Sequence, residues 1–443
     1  MEYGKNNRKP RIRKVLVLVS GFSPRFNHIP SVRISKLAKF LSKHFKVYVV
    51  GGLPKDVCVN KEVDVGTAEL IDISGVSLNR SNLSGSAQKA TYRSLKLKIK
   101  IFLGPLIMFF FSLSSGGGIY YRKQEYILAI DKIISKYERD EVIILTSYNP
   151  WFIIQIGGYF KRKYDEIFWV NDYRDLPFDN IVEPLTKHKF FRSAAKWFTD
   201  KSDITICVTK EIQEGFKSIV QDPDKILYYP NGYDLDDQPL ISNYQLNNSD
   251  AVADKLVITY TGRFYQNGTR ELKPFVAALA HSMTHNNFDF VFEYAGSQGQ
   301  YVAKIFSDFG LSDHLNILGV VSRSEAIKLQ GSSDLLLLIS YTGDDDAQGD
   351  GIVTGKFFEY ALSRKPIMVI GSSGWELKKI LLNDDKNALI RYSDTNKICD
   401  HLVSLFKLKR SGERLLVTYQ SDEFDSYNHK NLAEKLAAKL RHL

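Results

Sequence analysis

Apolar residues in this chain fall into two kinds of run. At 15–20, VLVLVS, they are consecutive but too few for a buried helix, and a loop containing glycine and proline, 21–30, ends them. Residues 31–43 instead carry Ile34, Leu37, Ala38 and Leu41 at helical spacing, with lysines between them. A second β-branched run follows at 47–52. Together these predict a strand, loop, helix and second strand. The loop then lies at the carboxyl end of the first strand, where open α/β sheets bind ligands.

The same alternation resumes at 142–147, 167–171 and 204–208, with helical patterns between. A fresh series runs through 256–261, 288–294, 315–318, 335–340, 367–370 and 388–390. Two successive strand–helix series joined near 230–243 predict two doubly wound α/β domains with parallel sheets. The boundaries are 1–232 for an N-terminal Rossmann-like domain, 233–423 for a C-terminal one, and 424–443 for a basic amphipathic helix able to pack on either. The default active site of such a chain is the cleft between the domains.

One stretch breaks the pattern. IFLGPLIMFFFSL, 101–113, is apolar, follows Arg93, Lys96, Lys98 and Lys100, and contains Gly104 and Pro105. A spanning helix needs roughly 20 apolar residues. An apolar segment with a basic flank fits the membrane interface, held by acyl contact and anionic headgroups; a buried core helix is the alternative. The expectation is an anionic membrane surface met through 93–113, from the cytoplasmic side.

Composition narrows this further. With 443 residues, 44% hydrophobic and 25% charged, the chain is an ordinary globular protein of two or three domains. Its net charge of +10 asks for an anionic partner. No pattern of a known nucleic-acid-binding module is present, so nucleic acid is not expected. Cys58, Cys207 and Cys399 are scattered and odd in number, which argues against a disulfide framework and fits a reducing cytoplasm. The basic start runs through VLVLVS into GFSPRFNHIP without a small-residue cleavage site, so strand is preferred to a secretory leader.

The most informative stretch is GDGIVTGKFFEYALSRKPIMVIG, 349–371. Thr354 and Gly355 open a predicted helix, whose N-terminal N–H groups suit a diphosphate. Lys356 adds a point charge, and Glu359 one turn on can accept from ribose hydroxyls. The bland alternative is a surface helix with a Lys356–Glu359 ion pair. In the first half, Asp172 and Asp175 flank Arg174 at a strand end. Carboxylates there can bind an acceptor hydroxyl or act as its base, or can simply make an ion-paired Asp–Arg turn. His28 and Arg33 sit in the first loop and helix start, His28 within reach of an acceptor or idle on the surface, and SYNPW, 147–151, would line the acceptor side. The acidic run at 344–346 reads as a solvated loop rather than a metal motif.

GKFFEYALSRKPIMVIG resembles the donor-binding segment of GT-B glycosyltransferases, specifically the retaining family 4 enzymes of bacterial surface polysaccharide synthesis. YTGRF at 260–264 is similar to the glycine turn opening that family's C-terminal domain, YPNGYD at 229–234 to the entry into it, and VNDYRDLP at 170–177 to its D-x-R-D stretch. The resemblance implies a GT-B fold: two facing Rossmann-like domains and a C-terminal helix that returns to the first. It implies Gly262 as the phosphate-side turn, with Arg263 and Arg270 on the donor phosphates and Arg33 able to meet phosphate. The family carries an upstream glutamate near the transferred sugar. Here the matching positions are Gly351 and Ile352, and Asp350 is the nearest carboxylate.

The implied activity is transfer of a sugar from a nucleotide diphosphate sugar to a lipid-linked or other saccharide acceptor. It would be metal-independent and retaining, with no covalently bound cofactor, on the inner face of the cytoplasmic membrane. In such enzymes the leaving phosphate helps deprotonate the acceptor. The competing readings are a catalytically inactive GT-B membrane scaffold and a nucleotide-sugar epimerase of the same fold.

Overall fold

The computed structural model describes residues 14–26, 29–54, 63–76, 123–148, 150–174, 185–237, 254–264, 271–343, 349–419 and 421–442. The chain forms two compact units, Met1–Pro230 with His429–Leu443, and Asn231–Asn428.

In the first unit the order is β1 (Val15–Ser20), α1 (Ile29–Leu41), β2 (Lys46–Pro54), β3 (Glu69–Val76), α2 (Lys123–Ile134), β4 (Val142–Tyr148), α3 (Trp151–Lys163), β5 (Phe168–Tyr173), α4 (Leu185–Lys201), β6 (Ile204–Cys207), α5 (Lys210–Lys217) and β7 (Ile226–Tyr228). The strands form one sheet in the order β3-β2-β1-β4-β5-β6-β7, every pair parallel. The order reverses between β1 and β4. That is the switch point where such sheets open a crevice at their carboxyl ends.

A parallel sheet with helices on both faces must bury both sets of side chains, which explains the unbroken apolar runs. Leu16, Leu18, Val47, Val49, Ile143 and Leu145 pack on one side with Ile34, Leu37 and Leu41 of α1. Val15, Val17, Val19, Val50, Val142 and Ile144 pack on the other with Tyr126 and Ile130 of α2 and Phe152 and Ile156 of α3. One strand of this sheet, β3, is not marked by an apolar run, and β7 (ILY) is only three residues long. β3 (ELIDISGV) lies at the edge and is only half covered, so polar residues are tolerated along it.

The second unit runs β8 (Leu256–Thr261), α6 (Lys273–Asn286), β9 (Phe290–Ala295), α7 (Gly299–Asp308), β10 (Leu315–Gly319), α8 (Arg323–Ser332), β11 (Leu335–Ile339), α9 (Lys356–Leu362), β12 (Ile367–Ile370), α10 (Lys378–Leu381), β13 (Ala388–Ile390), α11 (Thr395–Arg410) and α12 (Asp422–Asp425). Its sheet, β10-β9-β8-β11-β12-β13, is also parallel throughout and reverses between β8 and β11. Tyr233 ties the start of this unit to its end. Its ring stacks on Phe424 at 4.5 Å, its hydroxyl donates to Asp425 Oδ1 at 3.0 Å, and its N–H donates to the Tyr427 carbonyl at 3.1 Å.

The last helix, α13 (His429–His442), returns to the first unit. Leu432, Leu436 and Leu440 complete the core over α1, each contributing about 1.5–3 kcal/mol by burial. The Arg441 guanidinium donates to the His44 carbonyl at 2.8 Å. Among the described residues no helix is long and apolar enough to cross a membrane. The segment 93–113 and the acidic run 344–346 lie outside the described residues.

Candidate functional site

The switch point of the second sheet is built around the turn that leaves β8. Gly262 has φ +145°, a region closed to side chains, and a Cβ there would overlap the Lys356 ammonium. The glycine therefore does two things: it makes the turn and leaves room for the cation. Clamps hold the turn from several sides. The Gly262 N–H donates to the Ala295 carbonyl at 2.8 Å, the Tyr294 hydroxyl to the Gly262 carbonyl at 3.0 Å, and the Tyr260 hydroxyl to the Arg263 carbonyl at 2.8 Å. Gln298 brackets Phe264, accepting from its N–H at 2.6 Å and donating to its carbonyl at 2.9 Å. Burial raises the Tyr294 phenol above its ordinary pKa, so it remains a donor.

Helix α9 is locked to this turn by Tyr360. The Thr261 N–H donates to the Tyr360 hydroxyl at 3.1 Å, and the Thr261 hydroxyl lies 3.1 Å from the same oxygen. Burial pushes the Tyr360 phenol up to about 12. With that anchor set, Lys356 at the start of the helix swings over the Tyr260 ring, 5.0 Å from its centroid, and reaches Gly262. Glu359 turns elsewhere. Its Oε1 accepts from Arg323 Nη2 at 3.1 Å and Nε at 3.3 Å, while Arg323 also holds Asp237 Oδ2 at 2.9 Å. A Lys356–Glu359 surface pair, the bland alternative from spacing, does not form: among the described residues the ion pair of Glu359 is with Arg323.

Part of the helix start is already engaged. It has seven residues, the Lys356 N–H is taken by Thr354 Oγ1 at 3.2 Å, and the Phe357 N–H by the Thr354 carbonyl at 3.2 Å. Thr354 and Gly355 thus shape the turn before the helix. Asp350 is engaged in the preceding loop, where its carboxylate accepts from Ser372 Oγ and its carbonyl from the Glu376 N–H at 3.0 Å. Arg263 is half-buried beside Gly262, and Arg270 lies outside the described residues.

The first unit places its expected residues differently. Asp172 is fully buried at the end of β5. Arg33 pairs with its Oδ1 at 2.7 Å and Ser147 Oγ donates to its Oδ2 at 2.7 Å. Arg33 further donates to the carbonyls of Pro230 at 3.1 Å and Tyr229 at 2.9 Å. Burial opposes the guanidinium's charge, but Asp172 more than offsets it and raises the Arg33 pKa above its ordinary value. Both oxygens of Asp172 are thus engaged within the first unit, and the Arg33–Asp172 pair ties α1 and β5 to the residues that follow β7. Arg174, expected to pair with the aspartates, donates from Nε to the Tyr148 carbonyl at 2.6 Å. His28 and Asp175 lie outside the described residues.

No protein-family model matches the chain, and no curated protein matches it by sequence. Solved structures do match in shape. The Anabaena protein HepE, solved with UDP and glucose, superposes with a TM-score of 0.63 at 13% identity, covering 97% of this chain and 100% of that one. Sucrose-phosphate synthase from Thermosynechococcus elongatus gives 0.61 at 14% identity, over 97% and 98%. The fold is GT-B. A Listeria monocytogenes protein described as a UDP-N-acetylglucosamine 2-epimerase also matches, at 0.54 and 13% identity over 96% of each chain. The GT-B frame is thus shared by more than one chemistry, and function has to be argued from the side chains.

Proposed function

We propose that the chain is a glycosyltransferase that binds a nucleotide diphosphate sugar on its second unit. One observation carries the reading. The turn leaving β8 sets a side-chain-free Gly262 against the Lys356 ammonium, and α9, which carries both Lys356 and Glu359, is locked to that turn by Tyr360. A glycine turn admits a phosphate against the backbone, a lysine balances its charge, and a carboxylate accepts from ribose hydroxyls. The UDP bound to HepE supports a nucleoside diphosphate as the ligand class.

In this reading the diphosphate lies against Gly262, with Lys356 and Arg263 beside it, and the ribose faces Glu359. As the bond to the sugar breaks, negative charge grows on the leaving diphosphate. Fixed cations aimed at that charge lower the barrier without reorganising. The charge can be taken by these two side chains, so the proposed transfer is metal-independent. Retention, an acceptor that is a lipid-linked saccharide, a role in envelope polysaccharide synthesis and attachment to an anionic membrane face through 93–113 remain parts of the proposal carried by the sequence resemblance.

Calorimetry with UDP, GDP, ADP, TDP and CMP, with EDTA or magnesium, tests the site. One diphosphate should bind, with affinity unchanged by EDTA; no binding by any of them would overturn the reading. NMR of the matching nucleotide sugar then separates chemistries. Release or transfer of the sugar supports transferase, an inverted C2 centre supports the epimerase, and an intact donor supports a scaffold.

A further inference from the structure

Among the described residues, the guanidinium of Arg323 stands between two carboxylates drawn from distant parts of the chain. Asp237 comes from the 3-10 turn Leu235–Asp237, fixed where the Asp236 N–H donates to Asp234 Oδ1 at 3.0 Å and the Asp237 N–H to the Asp234 carbonyl at 3.0 Å. Arg323 itself is the first residue of α8, whose start is set by a capping box between Ser322 and Glu325. Glu359 belongs to α9, which Tyr360 locks to β8. Three independently fixed backbones therefore meet in one planar cation.

The geometry is asymmetric at Glu359. Both contacts from Arg323 go to Oε1, and Oε2 has no hydrogen-bond partner among the described residues, while the side chain keeps 29% exposure. A guanidinium presents its donors in a rigid plane, so pinning one oxygen from two nitrogens fixes the direction of the other. The cluster keeps a net charge of −1, counted as two carboxylates and one guanidinium. The carboxylates outweigh burial and hold the Arg323 pKa above its ordinary value, so the cation does not titrate away.

We propose that Arg323, held by Asp237, is a positioning residue that presents Glu359 Oε2 to the ribose diol of the bound nucleotide. This rests on the nucleotide reading of the same site. A free glutamate on the first turn of a helix samples several rotamers and must be ordered on binding, whereas a pinned one is ordered beforehand. Arg323 thus acts on ribose recognition without touching the nucleotide's phosphates.

The test measures binding of UDP, GDP and ADP, each beside its 2′-deoxy and 3′-deoxy counterpart, to the full-length protein and to Arg323→Gln, Arg323→Lys and Asp237→Asn. For the tightest nucleotide, the wild type should prefer the ribose form about 10-fold, the range of a hydrogen bond to a charged group. Arg323→Gln should bring that preference below about 3-fold, with Arg323→Lys and Asp237→Asn between, since a point charge or a weakened anchor still restrains the carboxylate. Asp237→Asn retains Arg323 and so tests the idea even where Arg323→Gln does not fold. If the variants lose thermal stability but keep the ribose preference, Arg323 is structural and the proposal is overturned. If they bind nucleotide more tightly, Arg323 competes with the ribose, which also overturns it. Absence of all nucleotide binding in the wild type sinks the nucleotide reading itself, a distinct result.

Discussion

Each unit of this protein sets an arginine against a carboxylate near the carboxyl ends of its parallel strands, and the two arrangements differ in what is left over. In the first unit Arg33 and Asp172 are sealed, with side-chain exposures of 4% and 0%, and both Asp172 oxygens are used. In the second, Arg323 and Glu359 are about one-third exposed, at 32% and 29%, and one carboxylate oxygen has no partner among the described residues. The sealed pair joins three elements and leaves neither Asp172 oxygen without a partner. The open pair has capacity to spare. Burial and hydrogen-bond satisfaction, rather than residue type, separate the two pairs.

The strongest way to break that contrast is Asp172→Ala. It leaves a buried guanidinium without its counter-charge and should cost about 3–5 kcal/mol in urea unfolding. Nucleotide affinity of the folded fraction should stay within about two-fold, because the proposed nucleotide site lies on the second unit. A loss under 1 kcal/mol would mean the pair is not sealed in solution.

Gly262→Ala comes next. It forces a side chain into φ +145° and against Lys356. Strain of about 1–3 kcal/mol should appear in thermal unfolding, together with weaker binding of diphosphate than of the bare nucleoside. Equal loss for UDP and uridine would argue that Lys356 is not on the phosphate side.

Glu359→Gln is a milder cut, removing charge while leaving an acceptor. Nucleotide affinity should fall about 10-fold, or ~1.4 kcal/mol, while stability changes by less than about 1 kcal/mol. Unchanged affinity in calorimetry would remove the ribose assignment and leave the two arginine pairs alike in function. The smallest effect is that of salt. Raising sodium chloride from low to high concentration should weaken nucleotide binding a few-fold by screening the half-exposed cations. The same change should leave the Asp172→Ala stability difference nearly constant.

The sheets were legible wherever strands are buried on both faces, as at 15–19 and 335–339, because burial on both faces favours an unbroken apolar run. The run at 315–318, LNIL, is mostly apolar yet forms an edge strand, with Ile317 40% exposed, so hydrophobicity marked the strand but not its burial. Strand β3 was missed for the converse reason, since a half-covered edge requires no apolar run. At the proposed site, Gly262, Lys356 and Glu359 could be named from the sequence because family resemblance and helical spacing group them. Arg323 was not found, since it lies 36 residues before Glu359 and 86 after Asp237. Asp172 stood out at a strand end, but its pairing with Arg33 did not, because that partner is 139 residues away and the nearer Arg174 drew attention. Spacing speaks for contacts within a helix; pairs closed by the fold leave no trace in it.

The return of α13 to α1 bears on the order in which the protein is made. The second unit is one continuous stretch, Asn231–Asn428, and can complete its core as soon as that stretch has left the ribosome. The first unit, begun earlier, still lacks Leu432, Leu436 and Leu440 over α1 at that moment. Its sheet must wait, partly uncovered, through the synthesis of an entire second unit. The half that is translated first is the half that finishes folding last.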